Sequence, residues 1–296
     1  MTRFATAEIV SQPDCWERAA DAAGAYRAVL PAAGERVAVV GCGSSWFIGQ
    51  SYAALRERAG LGETDAFACS EFPPGRSYDR LVAISRSGTT TEVLDLLDKV
   101  RGRVRTVVLT AVPTAPVVNL ADATVDLSFA DEESVVQTRS ATSALVLLRS
   151  SLDEDLTSVI NDGRAALRTP LEPLVSARQF SFLGTGWTIG LALEAALKMR
   201  ESAQLWTEAY PALEYRHGPI SIAELGRVTW QFGPPPAGLA DEVAATGATF
   251  VDSGDLDPLA HLVVAQRLAI EIADRLGLDP DRPRHLSRSV ILSPAS

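Results

Sequence analysis

The sequence predicts an α/β protein in which parallel β-sheet is covered by helices. Short β-rich runs alternate with helical patterns, glycine-rich turns follow strand-like runs, and the strand-turn-helix pattern restarts beyond the middle of the chain. The length of 296 residues and 47% hydrophobic content allow a large core, in two domains or one large α/β unit.

In chain order, residues 36–41, 66–69, 80–85 and 105–110 are expected as strands between amphipathic stretches. Residues 122–129 are interrupted by Asp126 and Ser128, which suits an edge strand. A helical stretch begins at Ser140, passes through Ala144-Leu145-Val146-Leu147-Leu148, and continues in helix-forming sequence to about Leu167. Thr169-Pro170 ends it, and the expected units are 1–168, with an N-terminal helix, and 169–296, with a C-terminal tail. Beyond that break, Phe180-Ser181-Phe182-Leu183-Gly184-Thr185-Gly186 is similar to Val37-Ala38-Val39-Val40-Gly41-Cys42-Gly43, and each precedes a helix carrying Ala-Ala-Leu. Two tandem α/β units account for this economically. The second is shorter: strands at 228–232 and 249–251, a turn at Pro234-Pro235-Pro236, and a long amphipathic helix over roughly 258–276.

A net charge of −10, with basic residues scattered singly, disfavours nucleic acid and anionic membranes as partners while leaving room for a small anion. Cys15, Cys42 and Cys69 are odd in number and lack metal-ligand or CxxC spacing, so buried, inert thiols in a reducing compartment are expected, with no metal. The first ten residues include Glu8 and lack an apolar signal core, and no later apolar run approaches the ~20 residues needed to span a bilayer. A cytoplasmic protein is expected.

Four motifs carry chemistry. Gly41-Cys42-Gly43-Ser44-Ser45 starts like a dinucleotide fingerprint, but Trp46 stands where a third small residue would admit pyrophosphate, so NAD is the weaker reading. The same residues describe a tight turn with a serine N-cap, and Ser44 and Ser45 are candidates for sugar hydroxyl contacts. Ser85-Arg86-Ser87-Gly88-Thr89-Thr90 joins a strand to a helix, where hydroxyls and backbone N–H groups can converge on phosphate and Arg86 adds charge if turned inward. A plain Ser/Thr helix cap explains it equally. Lys198 and Glu201, at i and i+3 near the end of a helix over 189–203, are either a functional pair or a surface ion pair. His217, between Arg216 and Gly218-Pro219, is a loop histidine open to a catalytic or a structural role.

Taken together, the motifs resemble the double-SIS-domain phosphosugar isomerase family, and within it the isomerase domain of glutamine:fructose-6-phosphate aminotransferase. The resemblance runs through Glu8-Ile9-Val10-Ser11-Gln12-Pro13, Cys42 to Ser45, Ser70-Glu71-Phe72, Ser85 to Thr90, Leu197 to Glu201, Glu208-Ala209-Tyr210, His217-Gly218-Pro219 and Pro283-Arg284-His285-Leu286. It implies two tandem SIS subdomains, each an α/β/α sandwich. It also implies that Ser85, Ser87 and Thr90, with Arg86 where an amide is common, hold a sugar phosphate, and that Ser44, Ser45 and Gln137 contact the sugar. Glu201 then matches the base moving a proton between carbons 1 and 2, Lys198 its polar neighbour, and His217 the imidazole of ring opening, donated across a homodimer. Two departures stand out. Met1-Thr2-Arg3 offers no N-terminal cysteine and no glutaminase domain precedes the SIS region, so glutamine amidotransfer by this chain alone is not expected. Arg288 occupies the place of the family's tail lysine, and arginine neither forms a Schiff base nor acts readily as a base.

The expected function is therefore aldose/ketose isomerisation or amino-sugar deamination of a hexose 6-phosphate without cofactor. Glu201 removes the proton beside the carbonyl, for which burial that raises a carboxylate pKa is helpful. A deglycase of 6-phosphorylated fructosamine-type adducts and a non-catalytic sugar-phosphate-binding regulator are the alternatives.

Overall fold

A computed structural model describes residues 4–292. Helices α1 (Phe4–Val10) and α2 (Gln12–Ala22) lead into β1 (Val37–Gly41), α3 (Ser44–Arg58), β2 (Thr64–Ala68), β3 (Arg80–Ile84), α4 (Thr91–Val100), β4 (Arg105–Thr110), β5 (Ala123–Asp126), α5 (Arg139–Ser150) and α6 (Thr157–Ala166). Then follow β6 (Gln179–Gly184), α7 (Thr188–Ala203), β7 (Trp206–Pro211), β8 (Arg227–Gln231), α8 (Leu239–Ala245), β9 (Thr249–Val251) and α9 (Pro258–Arg275).

All strand pairs are parallel, in the orders β2-β1-β3-β4-β5 and β7-β6-β8-β9. The second sheet repeats the first with one strand fewer, β6 standing for β1 and β8 for β3, so the restart seen in sequence is a structural repeat. Continuous apolar runs make the central strands: every residue of β1, β3 and β6 is buried, as sheets covered on both faces require. Strand β5, with its polar interruptions, lies at an edge. Two details differ from expectation. The stretch from Ser140 to Leu167 is two helices, α5 and α6, parted by a turn in which Asp153 takes a positive φ. Strand β7 was not foreseen, because Trp-Thr-Glu-Ala-Tyr-Pro has no clear apolar alternation and forms a half-exposed edge.

One apolar core joins both sheets through α2, α3, α5, α7 and α9. Helices α3 and α7 cross at its centre, and they approach closely because residue 190 is glycine: a Cβ there would lie 2.3 Å from the Phe47 carbonyl oxygen and from Ser51 Oγ. That crossing brings the far end of α7 to the loops of the first sheet.

Candidate active site at the junction of the two sheets

In doubly wound sheets, ligands bind beyond the carboxyl ends of the strands where the strand order reverses. Here that point lies between β1 and β3, and a cleft of about 190 Å³ opens there. Larger cavities, of about 640 and 740 Å³, lie elsewhere, but only the small one gathers Ser44, Ser45, Ser85, Arg86, Ser87, Thr90, Gln137, Lys198, Glu201 and Arg288.

The turn after β1 is a steric necessity. A Cβ at Gly41 would fall 2.7 Å from the Ser45 backbone, and Gly43 sits at φ 54°. Gly43 is itself the N-cap of α3, with no side-chain cap, so Ser44 and Ser45 are not spent as caps. The turn after β3 behaves alike: Thr90 is the N-cap of α4, yet its hydroxyl makes no capping bond. Ser85 Oγ accepts from the Gly88 N–H at 3.3 Å and shapes the turn, and Ser87 Oγ accepts from the Thr89 N–H at 3.3 Å. Both capping explanations therefore fail, and the hydroxyls of Ser87, Thr89 and Thr90 converge on one spot.

That spot is taken by the chain's own tail. Ser289 Oγ lies 3.2, 3.0 and 3.3 Å from the hydroxyls of Ser87, Thr89 and Thr90. Tail and helix are also stitched by the Thr91 N–H donating to the Val290 carbonyl at 3.1 Å and the Leu292 N–H donating to Thr91 Oγ1 at 2.9 Å. Arg86 is buried, but its charge is turned away from the hydroxyls: it donates to the carbonyls of Ser134 (3.1 Å), Val135 (3.2 Å) and Arg288 (2.9 Å), with Glu132 3.6 Å away. It ties the tail to the loop that carries Gln137. The Arg288 side chain pairs with Asp131.

Helix α7 supplies the ionisable groups. Glu194, Lys198 and Glu201 project from one face at i, i+4 and i+7. Lys198 is 1% exposed, so the surface-pair reading does not hold. Its Nζ lies 2.5 Å from Glu201 Oε2 and 3.6 Å from Glu194 Oε1. Burial opposes the lysine charge, but the two carboxylates outweigh it and hold its pKa above the ordinary lysine value. Glu194, beside Ser44, is fully buried and neither of its oxygens closes a hydrogen bond. Burial pushes its pKa up to about 7, with Lys198 opposing and Glu201 adding to the rise. Glu201, whose side chain is 18% exposed, is the carboxylate that reaches the cleft.

The remaining wall is the 132–140 loop. Buried Glu132 accepts from the N–H groups of Thr138 (2.6 Å) and Arg139 (2.8 Å) and from the hydroxyls of Thr138 (2.8 Å) and Ser140 (2.5 Å). Glu8 accepts from the Glu133 N–H at 2.6 Å and from the Ser134 hydroxyl. The loop is thereby fixed while Gln137 Nε2, buried and without a partner, faces the cleft.

His217 is not brought to this cleft by its own chain. It ends the short turn Glu214–His217 and is exposed. Of the other histidines, His261 is buried, takes a 3.1 Å bond from Trp230 Nε1 at Nδ1, and is kept neutral by burial that lowers its pKa to about 3. No group of three His, Cys, Asp or Glu among the described residues could hold a metal, and none of the described helices is long and apolar enough to cross a membrane. Sequence reading passed over Glu194, Glu132 and Ser289. Glu194 alone had a usable signal, its i+4 spacing to Lys198.

Residues 32–152 match the SIS domain family. The chain carries an SIS domain. Among curated relatives, the glutamine–fructose-6-phosphate aminotransferase [isomerizing] of Aeropyrum pernix is 30% identical over 321 aligned positions covering 88% of this chain and 52% of that protein. Its counterpart in Sulfolobus acidocaldarius is 28% identical over 86% of this chain and 50% of that one. The chain thus spans about half the length of the curated relatives it matches. Among solved structures, glucosamine-6-phosphate deaminase from Thermotoga maritima superposes with a TM-score of 0.84 at 24% identity, covering 97% of this chain and 99% of that one. Tagatose-6-phosphate ketose/aldose isomerase from Escherichia coli gives 0.78 at 18% identity, over 99% and 97%. Both are likenesses of fold, and each spans both sheets.

Proposed function

We propose that the chain is a phosphosugar isomerase, or an amino-sugar-phosphate isomerase/deaminase, acting on a hexose 6-phosphate. The observation that carries this reading is the convergence, in one cleft, of hydroxyls gathered at a helix N-terminus they do not cap with a carboxylate held against a buried lysine. The hydroxyls and N–H groups of the Ser85 to Thr90 turn receive the phosphate, and Ser44, Ser45 and Gln137 receive sugar hydroxyls. Glu201 takes the proton from the carbon beside the carbonyl or imine and returns it to its neighbour. As Glu201 becomes neutral, its ion pair with Lys198 weakens and the ammonium turns to the developing oxyanion, which is where a donor lowers the barrier. The reading requires no cofactor. It agrees with the names of the similar proteins, which include a glutamine–fructose-6-phosphate aminotransferase, a glucosamine-6-phosphate deaminase and a tagatose-6-phosphate ketose/aldose isomerase.

The test is a panel of hexose, hexosamine and fructosamine 6-phosphates with ketose, ammonia and free amine measured together. It separates isomerase, deaminase, deglycase and binder. On the accepted substrate, Glu201→Gln should retain binding and lower solvent-deuterium incorporation at carbon 1 or 2 by a factor of about 10² to 10⁴. Exchange at the wild-type rate would reduce Glu201 to an ion-pair partner.

His217 completes the site from a second copy in a homodimer: it is exposed and absent from its own chain's cleft. Mixing inactive Glu201→Gln and His217→Ala chains should then restore part of the activity in heterodimers. Continued inactivity after confirmed subunit exchange would remove the shared site.

A further inference from the structure

Cys42 and Cys69 are brought together by strand pairing. Strands β1 and β2 are parallel neighbours whose last register pair is Gly41 with Ala68, and each cysteine is the residue that follows. Adjacent strands lie about 4.8 Å apart, inside the roughly 4.4 to 6.8 Å Cα separation that a disulfide accepts. The two also pack in one apolar cluster, Cys69 buried within it and Cys42 against it. Cys42 is half-buried and lines the small cleft, whereas Cys69 is buried at the wall of the separate 640 Å³ cavity beside Glu92. The third cysteine, Cys15, is buried elsewhere, with its thiol 3.6 Å from the Phe129 carbonyl.

We propose that Cys42 and Cys69 form a redox-active dithiol, which a hydroperoxide entering the cleft oxidises to an intramolecular disulfide. The thiolate is the reactive form of a cysteine. The neighbouring Cys69 holds Cys42 below the usual thiol pKa, against burial and the charge of Glu92, while the neighbouring Cys42 and burial push Cys69 up. Cys42 therefore attacks first. Its sulfur bonds to one peroxide oxygen as the O–O bond breaks, giving a sulfenic acid and hydroxide (or alkoxide) that is protonated as it leaves. The Cys69 sulfur, losing its proton, then displaces hydroxide from the Cys42 sulfur. Two thiols have lost two electrons in forming the S–S bond, and hydrogen peroxide has become two waters. The product clamps the turn Cys42-Gly43-Ser44-Ser45 to the end of β2. This inference rests on strand register and the shared packing of the two cysteines rather than on a sugar substrate, so it stands or falls apart from the proposed activity.

The experiment treats the full chain with hydrogen peroxide, blocks remaining thiols with iodoacetamide, and maps tryptic peptides without reductant. Peptides 37–56 and 59–76 should appear as one linked species, with Cys15 still alkylated, and dithiothreitol should part them. Cys69→Ala should abolish the link and leave a Cys42 sulfenic acid trapped by dimedone. Alkylation of all three wild-type cysteines after peroxide, or Cys42 oxidised while Cys69 remains free, would overturn the proposal.

Discussion

After β1 and β3 the chain turns through Cys42-Gly43-Ser44-Ser45 and Ser85-Arg86-Ser87-Gly88-Thr89-Thr90; after the equivalent β6 and β8 it turns through Thr185-Gly186-Trp187-Thr188 and Phe232-Gly233-Pro234-Pro235-Pro236. The strand order at the two places is the same. Their polar groups are not. The second site opens on the 740 Å³ cavity, but of the two arginines that line it Arg58 is exposed on α3, and Arg149 is closed by Glu154 at 2.5 Å and Asp257 at 2.9 Å and lies under the Trp187 ring at 4.9 Å. Thr188 Oγ1 is spent on the Thr185 N–H and the Phe232 carbonyl. Topology thus offers two anion sites and side-chain satisfaction leaves one. The second unit instead contributes the far end of α7, whose ionisable face the first unit lacks.

The sharpest way to break this comparison is to strip the hydroxyls from one site and add them to the other. Ser87→Ala with Thr90→Ala should raise the dissociation constant of a sugar phosphate by about two to four orders of magnitude, since each hydrogen bond to a charged group contributes roughly 1.5 to 3 kcal/mol. Pro234→Ser with Pro235→Ser should leave it unchanged. Calorimetric titration with fructose 6-phosphate reads both, and equal affinity in all three proteins would remove the asymmetry.

Next in size is the electrostatic contribution of α7. Burial holds Glu194 at about 7, above its ordinary value of 4.5. A folded-state pKa above the unfolded one makes the native chain the tighter proton binder between those values. The associated stability is fully present below about 4.5 and is lost as pH rises through about 7, a change of up to about 3 kcal/mol. Glu194→Gln should remove that slope, so wild type minus variant, from urea midpoints at about pH 5 and about pH 8, should fall as pH rises. Parallel profiles would mean that Lys198 keeps Glu194 charged throughout.

The central strands and the repeat were legible because buried parallel strands are written as uninterrupted apolar runs, such as Val37-Ala38-Val39-Val40 and Phe180-Ser181-Phe182-Leu183. The edge strand β7 was not, since its burial is partial and its pattern correspondingly weak. At the cleft, spacing gave Lys198 with Glu201, and local turn chemistry gave the serines. Glu194 lay one turn away on the same helix, but nothing local says that this face is sealed by α3 and the Ser44 turn. Ser289 and the Cys42–Cys69 pairing were beyond reach for another reason: each depends on what a distant segment places beside it. Arg86 shows the converse, a cation in an anion-binding turn whose donors the fold assigns to carbonyls.

The smallest expected effect concerns the tail. Ser289 Oγ sits where three hydroxyls of the first unit converge, and the cleft of about 190 Å³ that remains is below the roughly 300 Å³ at which small-molecule pockets usually begin. A phosphate entering the cradle must therefore displace that hydroxyl. Neutral hydrogen bonds of this kind contribute about 0.5 to 1.5 kcal/mol net, so Ser289→Ala should tighten sugar-phosphate binding by about two- to twelvefold, with the gain residing in a faster association rate. Stopped-flow binding separates the rates. Weaker binding by the alanine variant would instead make Ser289 a fourth donor to the phosphate, and the tail a part of the cradle rather than its resting occupant.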